Sequence, residues 1–303
     1  MQRPASVPRC HVHPRTPSRQ AVNVFLFAYD GSINGDWVSH YAVQLAAGHD
    51  DRTLTAVHVR DGRTKDTTLA EKLQRMRQEC EHHGVQLVVH LLPPVGRNPL
   101  DAIRSAVPEG PEHYLVCGTR AQGRGHGFLS GTTSEQLLRS GHCNVLAVRV
   151  VQPGLLGSPR RLLLPVTERP GGFRSGLPFL RLFGPQVSHL HIVLVARVGR
   201  GRFRLLSHEG SERLRSPGQA YCERVEREIV EQLGLGSKVM DAQVVVSDEV
   251  AREILIAANK TKSRLIYMGA SERSLPQRFL HGSPIEQVLR DATCDVAIYR
   301  GIA

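Results

Sequence analysis

The sequence predicts an α/β protein made of two tandem, doubly wound parallel sheets of five strands each, with helices on both faces. Three observations predict this fold class. Short apolar runs alternate with amphipathic segments along the 303 residues, which is the pattern of strands alternating with helices. The apolar runs are continuous in Val, Ile and Leu, as expected of strands covered on both faces. The third observation is an internal repeat of half the chain.

The repeat has a constant shift of 151 residues, which relates Gly118 to Gly269 and Gly131 to Gly282. The stretches at 117–148 and 268–299 align without a gap. A period of this size indicates a duplicated domain.

The domain boundaries follow from composition. Residues 1–20 are rich in Pro and Arg and hold few apolar side chains, which predicts a disordered tail. A Pro- and Gly-rich stretch at 151–159 predicts a linker. We therefore expect the first domain at 21–150 and the second at 160–303.

Each domain is expected to alternate five strands with four helices, joined by right-handed crossovers. The predicted strands are 22–29, 53–60, 86–92, 114–118 and 144–150 in the first domain, and 161–166, 190–196, 239–247, 264–268 and 295–299 in the second. The predicted helices are 37–47, 68–83, 99–107 and 132–140, and then 172–182, 218–233, 248–260 and 283–291. Residues 197–216 are expected to form a loop.

Composition disfavours several classes of protein. No apolar run approaches the roughly 20 residues of a membrane span, and residues 1–20 contain no hydrophobic signal region. The six cysteines are scattered and form no CxxC pair. This spacing argues against a disulfide framework or a zinc site and favours the cytoplasm.

The net charge of +11 is unevenly distributed. Residues 1–20 carry +4, residues 21–150 are neutral, and residues 151–303 carry +7. Seven arginines and no acid occur from Arg169 to Arg204. Such a stretch contacts phosphates or anionic membranes in some proteins, but it is more often a solvated surface. With 5% aromatic residues, the sequence predicts no stacking platform for nucleic acid.

The glycine-rich loop at 118–131 is the strongest candidate site. It follows the fourth predicted strand and precedes a helix, so it lies at the edge where doubly wound proteins bind ligands. The helix start offers free N–H groups and a positive dipole suited to phosphate. Neither a Walker A loop nor the dinucleotide fingerprint is present. A ligand-free loop capped by Thr132 remains the alternative.

The spacing Gly118-x2-Ala121-x9-Gly131-Thr132 resembles the G-x2-G-x9-G-[ST] signature of the universal stress protein family, in its ATP-binding branch. The stretches "FAYDGS", "AVHV" and "HCNVLAVR" resemble the first, second and closing strands of that family. Ala121 stands where the family has its second glycine. Its methyl group is a modest handicap if the ligand approaches closely.

The resemblance implies a bound nucleotide, ATP or AMP, with Mg²⁺ as the companion of ATP. It implies that Asp30 meets the adenine or ribose and that the backbone of Val59 contacts adenine. The residues implied to hold the ribose and phosphates are Gly118, Gly131, Thr132 and Thr133. Arg120, which adds positive charge to the loop, and Ala121, at the second glycine position, complete the candidate binding set.

The second copy departs further from the signature. Glu272 takes the second glycine position, where its carboxylate would repel phosphates, and Thr167 replaces the acid Asp30. We expect a competent or weakened site in the first copy and a degenerate one in the second. The degenerate equivalents are Thr167, Gly269, Glu272, Gly282 and Ser283.

Three functions stay open. The first is a nucleotide-binding regulatory module of a stress response. The second is a non-binding interaction module that regulates a partner such as a membrane transporter, because "GASERS" at 269–274 resembles stress-protein-type domains appended to transporters. The third is a slow ATPase, for which we assign no catalytic residue and no metal ligand. The resemblance also implies that 144–150 pairs with 295–299 within one chain, with further homodimerisation as an option.

Overall fold

In the computed structural model, strands and helices alternate as the sequence predicts. The structure describes residues 24–95, 99–120, 128–129, 131–155, 157, 159–167, 172–234, 240–270 and 283–302. The predicted tail at 1–20 lies outside the described residues.

The first half of the chain contains five strands and four helices within the described residues. They are β1 (Phe25–Ala28), α1 (Ile33–Ala47), β2 (Thr53–Val59), α2 (Asp66–His82), β3 (Gln86–Leu92), α3 (Pro99–Ala106), β4 (Tyr114–Gly118), α4 (Thr133–Ser140) and β5 (Asn144–Arg149). The second half contains β6 (Arg161–Val166), α5 (Leu177–Phe183), β7 (His189–Arg197), α6 (Arg200–Arg204), α7 (His208–Leu233), β8 (Met240–Ser247), α8 (Val250–Lys260), β9 (Leu265–Gly269), α9 (Pro284–Asp291) and β10 (Asp295–Arg300).

All ten strands form one sheet in the order β3-β2-β1-β4-β5-β10-β9-β6-β7-β8. Every neighbouring pair is parallel except β5 and β10, which run antiparallel with Ala147 opposite Ile298. The predicted pairing of 144–150 with 295–299 is therefore confirmed, and it joins the two five-stranded units edge to edge. In each half the strand order reverses beside the first strand, which is where such sheets open a crevice.

Apolar side chains cover both faces of the sheet, and each apolar layer takes residues from both halves. One layer includes Phe27 and Tyr41 of the first half with Phe179 of the second. The other includes Leu137 of α4 and Ile285 of α9. The halves thus share their cores, at a gain of roughly 1.5–3 kcal/mol for each large apolar side chain fully buried.

Two buried polar side chains, related by the shift of 151, hold the junction between the halves. Asp295 accepts the N–H groups of Val151 at 2.7 Å and Gln152 at 3.0 Å, and the hydroxyl of Tyr41 at 2.5 Å. Its counterpart Asn144 accepts the N–H of Ile302 at 3.3 Å. Each closing strand therefore supplies an acceptor for the chain that leaves the other closing strand, and both buried groups are hydrogen bonded.

The prediction of a loop at 197–216 is wrong, because α6 and the first two turns of α7 occupy most of this segment. Helix α7 runs through Pro217. One missing N–H costs that helix a single backbone bond. Ser207 caps the start by accepting the N–H of Gly210 at 3.1 Å, and ion pairs three or four residues apart support the first turns.

Two other helix starts differ from the predictions by more than two residues. Helix α1 begins at Ile33, four residues before the predicted start at 37. Helix α5 begins at Leu177, after a 3-10 turn at Arg174–Gly176 that the prediction included in a helix. Among the described helices, none combines the length and apolar character needed to cross a bilayer.

Candidate functional site

A cleft opens at the carboxyl edge of the first half, beside β1, β2 and β4. Its cavity volume is about 160 Å³. The predicted residues that line it are Asp30, Val59, Gly118, Arg120, Thr132 and Thr133. Gly131 is adjacent in sequence to this lining, while Ala121 lies outside the described residues.

Asp30 is fixed at the start of α1. Its Oδ1 accepts the N–H of Ser32 at 3.0 Å and the hydroxyl of Ser32 at 2.7 Å. Ser32 in turn caps α1 by accepting the N–H of Gly35 at 3.0 Å. A Cβ on Gly35 would lie 2.5 Å from Asp30 Oδ1. Glycine therefore lets the helix start and the carboxylate occupy the same edge of the cleft.

Arg120 provides a cation beside this carboxylate. Its Nη2 lies 3.6 Å from Asp30 Oδ2, and the two side chains are 56% and 51% exposed. Ion pairs this exposed contribute about 1 kcal/mol or less. The guanidinium can therefore turn to an arriving anion at small cost.

Gly118 and Val59 close the floor of the cleft. A Cβ on Gly118 would lie 2.7 Å from the side-chain amide nitrogen of Asn34, so this glycine permits the close approach of α1. The carbonyl of Val59 accepts the N–H of Asp61 at 2.9 Å. That tight turn brings Asp61 and Arg63 into the cleft lining, where they form an ion pair at 3.3 Å.

The start of α4 is capped by residues of its own half. Thr132 Oγ1 accepts the N–H of Glu135 at 3.1 Å and donates to the carbonyl of Leu129 at 2.7 Å. The N–H of Gly131, at φ +72°, donates to Glu135 Oε2 at 2.7 Å, so the third residue of α4 also binds the residue before the cap. The hydroxyl of Thr132 is thus engaged in the helix cap. Thr133, the first residue of α4, lines the cleft.

The apolar wall of the cleft was not predicted. Ile103 of α3 and Leu137 of α4 form part of it, together with Cys117 of β4. Burial raises the pKa of the Cys117 thiol to about 12, so this thiol stays neutral and is a poor nucleophile. The sequence signal for the wall was only the apolar face of each flanking helix.

A second missed group supports the turn that carries Asp30. Lys72 of α2 donates to the carbonyl of Gly31 at 2.8 Å and to Asp36 Oδ2 at 2.5 Å. The hydroxyl of Tyr29 donates to Asp36 Oδ1 at 2.5 Å. Burial, followed by this hydrogen bond, raises the pKa of Tyr29. Lys72 and Asp36 lie far apart in sequence, so only the fold brings them together.

The described residues contain no cluster of three or more His, Cys, Asp or Glu side chains suited to a metal ion. This does not conflict with Mg²⁺ carried by a nucleotide. Such an ion takes most of its ligands from phosphates and water, with one or two protein carboxylates at most. Asp30 and Asp61 are the carboxylates in the cleft lining.

In the second half, two aromatic side chains of β9 and β10 lie in the apolar layer that contains Phe179. Tyr267 and Tyr299 are buried and stack with ring centroids 4.3 Å apart. A Cβ on Gly269 would lie 3.0 Å from the Tyr299 hydroxyl oxygen. Ser283 caps α9 by accepting the N–H of Glu286 at 3.2 Å, and Thr167 is exposed after β6. Glu272 and Gly282 lie outside the described residues.

The doubly wound sheet defines an α/β protein with a cleft at the carboxyl edge of its first half. The sequence profile of the universal stress protein family matches residues 22–149 and 189–300. The chain therefore belongs to the universal stress protein family, which confirms the resemblance of its motifs. Protein SH1215 of Staphylococcus haemolyticus, described as belonging to the same family, is 27% identical over 137 residues, covering 41% of this chain and 82% of that protein.

Solved structures share the whole tandem fold. A universal stress protein from Archaeoglobus fulgidus matches with a TM-score of 0.54 at 17% identity, over 91% of this chain and 96% of that chain. PA1789 from Pseudomonas aeruginosa, described as functionally unknown, matches with a TM-score of 0.58 at 17% identity, over 93% and 94%. The cytoplasmic domain of a prokaryotic cation chloride cotransporter matches with a TM-score of 0.56 at 11% identity, over 92% and 95%. At these identities the likeness shows the fold alone.

Proposed function

We propose that this chain is a cytoplasmic regulatory module that binds ATP or AMP in the cleft of the first half. The observation that carries the proposal is the pairing of Asp30 with Arg120 at the switch point of the sheet. A carboxylate suits the hydroxyls of a ribose, and a guanidinium suits phosphate oxygens. The apolar wall that includes Ile103 and Leu137 suits the face of a base.

The cleft supports binding better than catalysis. Each carboxylate that lines it already has an arginine partner, Asp30 with Arg120 and Asp61 with Arg63. The buried Cys117 thiol is held neutral by its raised pKa. A slow ATPase remains a secondary outcome, in which bound water hydrolyses ATP without a dedicated base.

A second candidate function is an interaction module that regulates a membrane transporter without binding a nucleotide. The observation in its favour is that the second half has Thr167 where the first half has the carboxylate of Asp30. The cytoplasmic domain of a cation chloride cotransporter has the same tandem fold. Nucleotide titration separates the two candidates.

The experiment is a calorimetric titration of the full chain with ATP and Mg²⁺, with AMP, and with adenosine. The variant Arg120→Ala is expected to weaken ATP binding about tenfold while leaving adenosine binding unchanged, because the lost cation faces the phosphates. Asp30→Asn is expected to weaken all three ligands. The matched control is Arg252→Ala, which removes an exposed arginine paired with Glu249 in the second half. Absence of heat with every nucleotide would contradict the proposal and favour the interaction module.

A further inference from the structure

A glutamate of the second half reaches into the glycine-rich loop of the first half. Glu286 is the third residue of α9. Its Oε2 accepts the N–H of Phe128 at 2.8 Å, and its Oε1 accepts the N–H of Leu129 at 2.9 Å. Phe128 and Leu129 belong to the loop that runs from Gly118 to Gly131. One carboxylate from the second half therefore binds two consecutive amides of that loop.

The chemistry of this contact is strong and specific. Glu286 is 6% exposed, so water competes poorly for its oxygens. Hydrogen bonds from neutral N–H groups to an ionised carboxylate are about twice as strong as those between neutral groups. Two oxygens that engage adjacent amides also fix the orientation of the peptide. Removing the carboxylate leaves buried amides unsatisfied, which is costly.

The two residues bonded to Glu286 are themselves hydrogen bonded to residues at or next to the cleft lining. The carbonyl of Leu129 accepts the N–H of Thr132 at 3.0 Å and the hydroxyl of Thr132 at 2.7 Å. Thr132 caps α4 and lines the cleft. On the other side, the hydroxyl of Thr119 donates to the carbonyl of Phe128 at 2.6 Å, directly after Gly118. The two residues held by Glu286 are therefore bonded to both ends of the loop.

The equivalent glutamate of the first half has different partners. Glu135 precedes Glu286 by the repeat shift of 151. It accepts the N–H of Gly131 and pairs with Arg139 at 2.8 Å, both within its own half. The contact from Glu286 to the loop therefore crosses between the halves, whereas these contacts of Glu135 do not.

We infer that Glu286 is a positioning residue for the nucleotide site of the first half, so that the site is complete only when the second half is docked. This inference rests on the proposed function. It gives the second half a role that does not require a working site of its own. Because coupling between binding and docking is reciprocal, a nucleotide in the cleft should also stabilise the junction between β5 and β10.

The test uses the full chain with Glu286→Gln, Glu286→Ala and the control Glu249→Gln, which alters an exposed glutamate of the second half. Binding of ATP with Mg²⁺ is measured by calorimetry, and backbone amide exchange is measured by NMR or mass spectrometry. We expect Glu286→Ala to weaken ATP binding by 10-fold or more, and Glu286→Gln, which keeps one acceptor oxygen, by about 3-fold. Amide exchange at Phe128 and Leu129 should rise at least about 10-fold, while exchange in β7 and β8 stays unchanged.

Three other outcomes would contradict the inference, and the measurements distinguish them from one another. Equal ATP affinity in the unaltered chain and in Glu286→Ala would overturn it while leaving the proposed function intact. Faster exchange throughout the sheet would reduce Glu286 to a general structural role. If the unaltered chain binds no nucleotide, the proposed function fails first and this inference fails with it.

Discussion

The two carboxyl edges of the sheet have the same strand order but different contents. In the first half, the edge beside β1 and β4 is an open cleft with a carboxylate and a guanidinium at its lining. In the second half, Thr167 stands where the first half has Asp30, and the stacked rings of Tyr267 and Tyr299 lie in the apolar layer that contains Phe179. The topology therefore supplies the position of a candidate site in both halves, whereas the side chains at the strand ends decide its chemistry.

The repeat shift also shows how the apolar layer differs between the halves. Tyr267 and Tyr299 stand where the first half has Val116 and Val148. Helix α1 has 15 residues, whereas α5 has 7 and is preceded by a 3-10 turn. The hydroxyl of Tyr267 donates to the carbonyl of Gly176 in that turn at 2.6 Å. The larger rings therefore occupy space next to a shorter helix, and the smaller valines accompany a longer one.

The largest expected change in the free energy of unfolding comes from removing an aromatic ring in the second half. Tyr299→Ala should lower the free energy of unfolding by about 3–5 kcal/mol, because a fully buried aromatic ring leaves a cavity. Its first-half counterpart Val148→Ala should cost about 2 kcal/mol, in proportion to the smaller volume removed. Urea unfolding measures both values.

The matched control is Tyr299→Phe, which keeps the ring and should cost less than about 1.5 kcal/mol. If Tyr299→Ala cost no more than Val148→Ala, the ring would contribute no more packing than the valine does, and the described difference between the two apolar layers would be wrong.

The next effect compares the two acceptors at the junction. Asp295→Ala removes the acceptor for two backbone N–H groups and the hydroxyl of Tyr41, and it should cost about 3 kcal/mol of unfolding free energy. Asn144→Ala should cost about 1–2 kcal/mol, because its bonds involve a neutral amide. Tyr41→Phe isolates the hydroxyl. Equal losses of unfolding free energy in the two alanine variants would show that the charge at Asp295 adds nothing to stability.

The smallest effect is a pH dependence that belongs to the first half. His49 is buried against Phe25 and Tyr114, and Tyr114 contacts Phe179 of the second half. Burial lowers the pKa of His49 from its ordinary value of 6.5, with Asp51 and Asp50 acting in the opposite direction. Below pH 6.5 the unfolded chain therefore binds a proton that the folded chain resists.

The contribution of His49 to stability is consequently complete above pH 6.5 and is lost as the pH falls below it. The slope is at most about 1.4 kcal/mol per pH unit. Urea unfolding from pH 7.5 to 5 should show a shallower slope for His49→Gln than for the unaltered chain. An identical slope in both proteins would show that a group other than His49 causes the pH dependence of stability.

Much of this fold could be predicted from local patterns in the sequence. Continuous apolar runs gave β2 and β3 nearly to the residue, and the closing-strand pairing followed from the duplication and the family resemblance. The start of α7 was missed because Pro217 normally ends a helix, whereas here a serine cap and local ion pairs outweigh one lost bond. The start of α1 was missed because Gly35 suggests a loop until its closeness to Asp30 is known.

The site was predictable only where chemistry and spacing coincide. Asp30, Gly118 and Thr132 could be named because a motif links them to strand ends. Lys72 and Glu286 could not, since their partners lie 36 to 158 residues away in sequence. Such contacts depend on the crossover of α2 and on the joining of β5 to β10, which no local pattern encodes.

The proposal that only the first half binds a nucleotide is tested most directly by the stoichiometry of ATP binding. Three full chains are compared: the unaltered protein, Gly131→Glu and Gly282→Glu. Gly131 has open space around its Cβ position and φ of +72°. A glutamate there adds modest strain and places a carboxylate at the start of α4, while its counterpart Gly282 lies outside the described residues. We expect one ATP per chain, with binding lost in Gly131→Glu and retained in Gly282→Glu. Two ATP per chain, or loss of binding only in Gly282→Glu, would contradict a nucleotide site in the first half alone.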